Sequence, residues 1–300
     1  MSESKLKIKN ENPFMSNKMG LSLKLKLLGI RSSFKILGFL APPLAERVAL
    51  RLFLTPPSHI TPKWHLPYLL KASQSTILVG NKSIQLYQWG HGPSILLVHA
   101  WGGRGSQLSA FIDPLVKAGY SVLTFDGPAH GNSTGKSTDM FEFAAAIHAV
   151  ASVASPLHGI IAHSFGAACT LLSLREYRFP IARLILIGCP ATAIGVTEDF
   201  AEKLSISKQI ISGMRKQLEK KHNNRWKWDD LSLIKMIKNT KTPTLIIHDE
   251  NDHEISYQQA LELNNAGISS ELFTTKGYGH RRILRAFEAI NKSLDFIKVQ

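Results

Sequence analysis

The sequence predicts an α/β fold in which a mostly parallel, eight-stranded sheet carries helices on both faces. From residue 76 onward, short apolar runs rich in β-branched residues alternate with helical patterns, and this alternation is typical of parallel strands joined by crossover helices. A length of 300 residues fits one large α/β domain with a small insertion, or two domains of ordinary size. Apolar residues make up 44% of the chain, close to the globular average, so a full core can be buried.

The elements are predicted from short apolar runs and from helical periodicity. A turn with Gly80 and Asn81 separates the first two strands, which favours an antiparallel hairpin at the edge of the sheet, and the other strands form its parallel part. The predicted strands are 76–79, 84–89, 94–99, 121–126, 159–163, 183–187, 244–248 and 271–275. The predicted helices between them are 107–117, 140–153, 165–177, 257–265 and 282–296.

Residues 191–240 interrupt this alternation with helical, charged sequence. We predict a helical cap insertion there, so that residues 61–190 and 241–300 form the core of the domain. An apolar stripe at helical spacing runs through the insertion. Its members are Ile206, Ile210, Ile211, Met214 and Leu218. Two compatible interpretations stay open: simple packing on the domain, or a roof over a substrate pocket.

Residues 1–60 form a basic N-terminal extension. They hold ten Lys and Arg against three Asp and Glu, half of the chain's net charge of +14. The first twenty residues are polar, and we expect them to be disordered or loosely attached. Residues 43–54 predict an amphipathic helix, because Leu44, Val48 and Leu52 recur every four residues. The segment either packs on the main domain or lies on an anionic membrane or a partner.

Composition and motifs also weigh against several function classes. The sequence has neither zinc-ligand spacing nor a recognition-helix signature, so no nucleic-acid partner is predicted despite the basic charge. It contains no run of ~18 apolar residues and no small-residue cleavage site, so neither a membrane span nor a secretory signal is predicted. Cys169 and Cys189 lie in apolar runs and are predicted to be buried free thiols, which favours a reducing compartment. We therefore expect a cytoplasmic protein, or one held peripherally at the inner membrane surface.

The strongest chemical signal is a serine at a strand-to-helix junction. Residues 162–166 read Ala-His-Ser-Phe-Gly, a nucleophile elbow of the G-x-S-x-G type with alanine in place of the first glycine. Such a turn strains the backbone at Ser164, so Ala162 and Gly166 must be small. The alternative is an ordinary serine N-cap of the following helix.

A second signal follows the third predicted strand, where the sequence reads His99-Ala-Trp-Gly-Gly103. Enzymes with such an elbow place an oxyanion-hole donor at this position. The backbone N–H groups of Trp101 and Phe165 are therefore predicted to form the hole. Ala100 stands where glycine is usual, and His99 is predicted to be structural.

Five motifs in this order resemble the α/β-hydrolase superfamily, in its serine esterase, lipase and thioesterase branch. They are LLVHAWGG, FDGPAHGNSTG, AHSFGAA, LIIHDEND and GYGH, and the resemblance covers about residues 76–297. It implies the chain order nucleophile, acid, histidine. Asp252 matches the acid, with Asp249 at the usual glycine position and Glu250 as a further alternative. His280, directly after the final strand, matches the base.

The resemblance also implies structural hydrogen bonds from Asp126 and His130, in the loop after the fourth strand. The function predicted from all these residues is hydrolysis of a small-molecule carboxylic ester or thioester. Ser164 acts as nucleophile, His280 as general base and Asp252 as the orienting acid, through an acyl-enzyme and without a metal or organic cofactor. Three alternatives stay open: acyl transfer by the same triad, a non-catalytic ligand binder, and an interaction protein driven by the basic N-terminus.

Overall fold

The structure, a computed structural model, describes residues 21–57, 61–154, 156–223 and 225–298. The expectation for residues 1–20 lies outside this part of the chain. The strands are β1 (Ser73–Val79), β2 (Lys82–Trp89), β3 (Ser94–Val98), β4 (Ser121–Phe125), β5 (Leu157–His163), β6 (Arg183–Ile187), β7 (Thr244–Asp249) and β8 (Ser270–Thr275). The α-helices are α1 (Leu21–Leu40), α2 (Pro42–Leu54), α3 (Leu66–Lys71), α4 (Ile112–Lys117), α5 (Met140–Val153), α6 (Phe165–Tyr177), α7 (Ala193–Leu204), α8 (Lys208–Lys221), α9 (Leu233–Lys238), α10 (Tyr257–Ala266), α11 (Gly279–Arg282) and α12 (Phe287–Lys298). Short 3-10 helices cover Lys63–His65, Gly105–Phe111, Trp228–Leu231 and Ile283–Arg285.

Within the described residues the strands form one sheet of eight, in the order β1-β2-β4-β3-β5-β6-β7-β8. The β1–β2 and β2–β4 pairs are antiparallel, and the pairs from β4–β3 through β7–β8 are parallel. The mostly parallel sheet and its edge hairpin are therefore confirmed. Every residue of β4 and β7 is buried, because helices cover both faces of the parallel part.

The core consists of one apolar cluster on each face of the sheet. Along β3 the side chains alternate between them: Leu96 and Val98 belong to one cluster, and Ile95 and Leu97 to the other. This two-residue period is that of a pleated strand. Helices α5, α6, α9 and α10 cover the first face, and α4 and α12 cover the second.

Two predicted helices are each divided in the structure. The run 107–117 is a 3-10 helix that gives way to α4 at Ile112, where Pro114 fits the first helical turn because its missing N–H needs no partner there. The run 282–296 is broken at Ala286, whose φ of −69° and ψ of 121° are extended. The break lets Ile283 and Leu284 pack in the second core cluster.

Helices α1, α2, α7 and α8 form a helical layer outside the sheet. Three members of the apolar stripe on α8, Ile210, Ile211 and Met214, are buried against Phe34 of α1 and Ala45 of α2, among other residues. The last member of the stripe, Leu218, joins the first core cluster instead. The stripe therefore packs on the N-terminal helices and on the domain, which is the packing interpretation of the insertion.

The face of α2 that packs differs from the one that its periodicity suggests. Ala45 and Ala49 are fully buried against α8, whereas Leu44 and Leu52 are 48% and 40% exposed. Small side chains let two helices approach closely, and α2 and α8 do so: a Cβ on Gly213 would lie 2.1 Å from the Glu46 carboxyl carbon. Leu44 and Leu52 therefore face outward, whereas Val48, the other member of the predicted stripe, packs on the cluster with α8.

Both cysteines are buried and unpaired, as predicted. Cys169 lies in α6, and Cys189 follows β6. Burial raises the pKa of both thiols, which disfavours the reactive thiolate form at neutral pH.

Candidate active site

Four loops that carry the predicted site residues meet at one edge of the sheet. Trp101 follows β3, Ser164 follows β5, Asp252 follows β7 and His280 follows β8. These strands are parallel, so their carboxyl ends lie on the same side. Crevices at the carboxyl ends of parallel strands are the usual ligand sites of open α/β sheets.

Ser164 occupies a strained turn between β5 and α6. Its φ is +54° and its ψ is −119°, and its N–H donates to the Ile187 carbonyl at 2.8 Å. A side chain at Gly166 would place Cβ 2.3 Å from the His99 carbonyl oxygen, so only glycine fits there. Ala162, in place of the usual glycine, is fully buried, and its methyl group is accommodated. The turn presents the serine hydroxyl at the sheet edge.

Ser164, His280 and Asp252 form a continuous hydrogen-bonded line. Nε2 of His280 lies 2.9 Å from Ser164 Oγ, and its Nδ1 lies 2.6 Å from Asp252 Oδ2. The carboxylate can only accept, so Nδ1 carries the proton and Nε2 accepts from the hydroxyl. The imidazole and the carboxyl group are both buried, whereas the neighbouring His253 is exposed.

The Asp252 carboxylate is strongly stabilised in its ionised form. Its Oδ1 accepts the N–H groups of Glu254 and Ile255 at 2.8 and 2.9 Å. Nε2 of His248 lies 3.4 Å from Oδ2. Burial alone would raise the pKa of Asp252, but the hydrogen bonds from His248, His280 and the backbone outweigh it and hold the pKa well below its ordinary value. The acid therefore stays charged beside the imidazole.

Asp249, the other carboxylate of this loop, organises the chain that carries the histidine. Its side chain accepts the Thr275 hydroxyl at 2.7 Å and the N–H groups of Tyr278 and Gly279 at 3.0 and 2.9 Å. These bonds fix the backbone just before His280. From the sequence, Asp249 was a departure at the usual glycine position and an alternative acid, and this structural function was missed. The available signal was a carboxylate at the end of a buried strand, where unpaired N–H groups need an acceptor.

Two further groups surround His280. Nε2 of the fully buried His163 donates to the His280 carbonyl at 2.9 Å, and burial lowers the pKa of His163 well below its ordinary value. Gly188 lies against the other side: a Cβ there would be 3.1 Å from His280 Cε1, and its φ of +57° also favours glycine. Together these contacts leave the imidazole little freedom to turn.

The loop after β3 is pinned on both sides of Trp101. The Ala100 N–H donates to Gln107 Oε1 at 2.7 Å, and the Gly102 N–H donates to His130 Nε2 at 3.0 Å. Backbone groups on each side are thus already paired by side chains, and the loop is fixed in one conformation.

The two backbone donors predicted from the sequence are left without a partner. Within the described part of the chain, neither the Trp101 N–H nor the Phe165 N–H has a hydrogen-bond acceptor. Phe165 is the first residue of α6, where the N–H groups point outward and the helix dipole favours negative charge. The described part of the chain therefore uses neither donor.

His99 and His130 tie this loop to the one after β4. His99 donates from Nδ1 to the Ala100 carbonyl and accepts the Gly127 N–H at Nε2, each at 2.8 Å. His130 donates from Nδ1 to the Pro128 carbonyl at 2.9 Å. Burial lowers the pKa of His99 to about 4 and that of His130 to about 3. Both rings are neutral near pH 7, and both serve as structural hydrogen-bonding groups.

Asp126 also joins the segments that follow β3 and β4. Its carboxylate accepts the N–H groups of Gly105 and Asn132, each at 2.7 Å, and the Tyr87 hydroxyl at 3.1 Å. The Arg104 guanidinium lies 3.5 Å away. The structural bonds expected of Asp126 are present. Burial of the phenol, together with the negative charge of Asp126 and its hydrogen bond, raises the pKa of Tyr87 to about 12.

Comparison with protein families identifies part of this architecture. A model of an alpha/beta hydrolase family matches residues 95–235. The matched region runs from β3 into α9 and includes Ser164 but neither Asp252 nor His280. Among curated proteins, none matches the chain by sequence.

Solved structures with the same fold include several hydrolases. A lipase candidate from Acinetobacter baumannii AYE superposes with a TM-score of 0.62 at 19% identity, covering 80% of this chain and 97% of the other. An esterase from Exiguobacterium antarcticum gives a TM-score of 0.59 at 16% identity, covering 76% and 100%. A membrane phospholipase A, described as a bacterial virulence factor, gives 0.59 at 16% identity, covering 92% and 97%. At these identities the likeness shows the fold and nothing finer.

Proposed function

Because this chain belongs to the α/β-hydrolase superfamily, we propose that it is a serine hydrolase that cleaves a carboxylic ester or thioester. The observation that carries the proposal is the line from Ser164 Oγ through the His280 imidazole to the Asp252 carboxylate, at 2.9 and 2.6 Å. A strained serine, an imidazole with its acceptor nitrogen on that serine, and a charged acid behind the imidazole are the parts of an activated nucleophile.

The proposed reaction begins with attack by Ser164 Oγ on the carbonyl carbon. Nε2 of His280 takes the hydroxyl proton as the new C–O bond forms. Asp252 holds Nδ1–H in place and stabilises the resulting imidazolium. Because the pKa of Asp252 is held low, this carboxylate remains available as the counter-charge.

The tetrahedral oxyanion would accept hydrogen bonds from the Trp101 and Phe165 N–H groups. Preorganised donors of this kind are typically worth about 3 kcal/mol each in the transition state. His280 then gives its proton to the departing alkoxide or thiolate, which leaves the acyl group on Ser164. A water molecule, deprotonated by His280, attacks the acyl-enzyme; the bond to Ser164 Oγ breaks, His280 returns the proton to that oxygen, and the carboxylic acid is released.

Apolar side chains beside the nucleophile support an acyl substrate. The half-buried rings of Trp101 and Phe165 stand edge to face, with centroids 5.0 Å apart. Phe165 directly follows Ser164 in the chain, so this aromatic wall lies next to the reacting hydroxyl and suits an apolar acyl group. An ester or thioester is favoured over an amide, because alkoxide and thiolate depart more easily than an amine.

A second serine–histidine pair shows by contrast what the proposal depends on. Ser106 Oγ lies 2.8 Å from His65 Nδ1, a distance similar to that of the candidate pair. Ser106 is fully buried inside a 3-10 helix. Burial and the positive charges of Arg104 and Arg285 lower the pKa of His65 to about 4, so this imidazole is a poor proton acceptor. A serine close to a histidine is therefore not by itself an activated nucleophile.

The test is turnover on a panel of p-nitrophenyl esters and acyl thioesters by the full chain. We expect Ser164→Ala to lose turnover by about 10⁴-fold or more while its thermal unfolding stays close to that of the wild type. Adding an alcohol distinguishes hydrolysis from acyl transfer, since a transferase would form the new ester in preference to the free acid. Turnover that survives in Ser164→Ala would contradict the proposal.

A further inference from the structure

Helix α1 presents a row of large apolar side chains to solvent. At 100° per residue these positions lie within about 120° of one another around the helix axis, so they form one stripe. The members are between 58% and 87% exposed, and they are Leu25, Leu28, Ile36, Phe39 and Leu40. We call them the outer stripe. The next helix, α2, also exposes two leucines, Leu44 and Leu52.

The outer stripe belongs to a helix that is firmly attached by its opposite face. Phe34 is buried in the cluster with α8, and a Cβ on Gly38 would lie 2.8 Å from Ile210 Cδ1. The Arg31 guanidinium donates to the Lys203 carbonyl of α7 at 2.9 and 3.1 Å. Because the inner face already packs, rotating α1 to hide the outer stripe would expose another apolar face. The stripe is thus a stable feature of the surface.

Basic residues predominate in the two helices that carry these apolar groups. Helix α1 contains no acidic residue. Between residues 21 and 54 the chain holds six basic residues and one acidic residue. The basic residues are Lys24, Lys26, Arg31, Lys35, Arg47 and Arg51. The acidic one, Glu46, accepts from Gln217 of α8 at 2.9 Å, on the packed side.

This combination selects one kind of partner. A second copy docking through the same face would bring two clusters of like charge together, which is unfavourable. An anionic lipid surface offers both of the complements required: a headgroup layer for the basic side chains and an acyl boundary for the apolar ones. Among the described residues no helix has both the length and the apolar character to cross a bilayer.

We propose that the outer stripe of α1, with the exposed basic side chains of Lys35, Arg47 and Arg51, is a docking surface for an anionic lipid bilayer. Helix α1 lies parallel to the bilayer with Ile36 and Phe39 at the acyl boundary. The packed face keeps it joined to the helical layer. This surface involves none of the residues of the candidate active site, so it does not depend on the proposed hydrolase activity.

The experiment is co-sedimentation of the full chain with phosphatidylcholine vesicles, with and without phosphatidylglycerol. We expect binding to the anionic vesicles that weakens as salt is raised. Phe39→Gln should weaken binding about tenfold, and Lys35→Gln about fivefold. The matched controls are Phe287→Gln, at a phenylalanine that is 77% exposed elsewhere, and Lys117→Gln, at an exposed lysine on α4. Both controls should bind as the wild type does.

Three results would overturn the proposal. One is binding that is absent or equal with and without phosphatidylglycerol. Another is an equal loss in Phe287→Gln and Phe39→Gln, which would mark non-specific adhesion. The third is a wild-type dimer in the absence of lipid that Phe39→Gln dissociates, which would assign the stripe to a second copy. Ser164→Ala should bind vesicles like the wild type. A loss of ester turnover and a loss of vesicle binding can therefore be told apart.

Discussion

At the sheet edge, buried carboxylates and histidines hold the loops through hydrogen bonds, whereas in the helical layer apolar side chains do most of the packing. Asp249 alone accepts three groups of the chain just before His280. In the helical layer, Phe34 and Met214 are buried in an apolar cluster, while Phe39 stays 87% exposed. Hydrogen bonds in the first region fix the positions of individual groups, whereas the second region leaves an apolar surface exposed to solvent.

The difference implies that the two regions can be perturbed separately. A polar substitution at the sheet edge changes the geometry of a few atoms, so its effect should appear in turnover. A polar substitution on the outer stripe replaces an exposed apolar side chain, so its effect should appear in lipid binding. Variants that affect both properties together would weaken the comparison.

The largest expected effect is that of Asp252→Asn. The amide cannot balance an imidazolium and favours the wrong tautomer of His280, so turnover should fall by about 10⁴-fold. Asp249→Asn keeps one acceptor oxygen for the histidine loop and should lower turnover far less. Steady-state kinetics on one ester checks the pair, and vesicle binding should be unchanged in both. The reverse order of effects would show that Asp249 is the acid.

An intermediate effect is expected at Asp139, where the two regions meet. Its carboxylate caps α5 and also accepts from Lys221 and His222 at the end of α8, at 3.0 and 2.9 Å. Burial would raise the pKa of Asp139, but the hydrogen bonds from His222 and Glu142 N–H and the charge of Lys221 lower it from 3.8 to about 2. Asp139→Asn should therefore reduce the free energy of unfolding by about 2 kcal/mol at neutral pH.

The pH dependence of that difference follows from the lowered pKa. The stabilisation is complete above the unfolded-state pKa of 3.8 and is lost as the pH falls through about 2. Urea unfolding at a series of pH values should show the two proteins converge only in strong acid. Glu142→Gln is the matched control, since Glu142 pairs with Lys82 at a half-exposed site and should change stability by less than about 1 kcal/mol. If the difference in the free energy of unfolding persists below pH 2, the charge of Asp139 is not its cause.

The smallest expected effect is that of His130→Ala. The Gly102 N–H would lose its acceptor, so the loop that carries Trp101 would become more mobile. The Trp101 N–H itself would still be present. Removing an oxyanion donor outright costs about 10²–10³-fold in kcat, so this indirect change should cost about tenfold in kcat with little change in KM. His130→Gln, whose amide oxygen can accept the same N–H, should recover part of the loss. An effect on KM alone would assign His130 to substrate binding.

The fold was largely predictable because each strand is a compact apolar run between breaks. All eight predicted strands are present, and α5 and α6 have the predicted bounds of 140–153 and 165–177. The predicted residues of the candidate site, Ser164, His280 and Asp252, lie within hydrogen-bonding distance. Their motifs are local, and the parallel sheet brings the ends of its strands together regardless of the loops between.

What the sequence did not reveal depends on long-range partners. The division of α2 into a packed alanine face and an outward leucine face follows from the close approach of α8, which is remote in sequence. Asp249 serves backbone groups that lie about thirty residues away. Helix α1 was not predicted. It has two apolar faces, one packed and one exposed, and basic residues interrupt the segment, so no single apolar stripe at helical spacing is visible in the sequence.

Covalent labelling tests the central claim most directly. The wild-type chain is treated with a fluorophosphonate, and the modified residue is identified by mass spectrometry of its peptides. We expect an adduct on Ser164, none on Ser106, and much slower labelling in His280→Ala. A wild-type chain that stays unmodified, or one that labels equally fast without the imidazole of His280, would contradict an activated serine at this sheet edge.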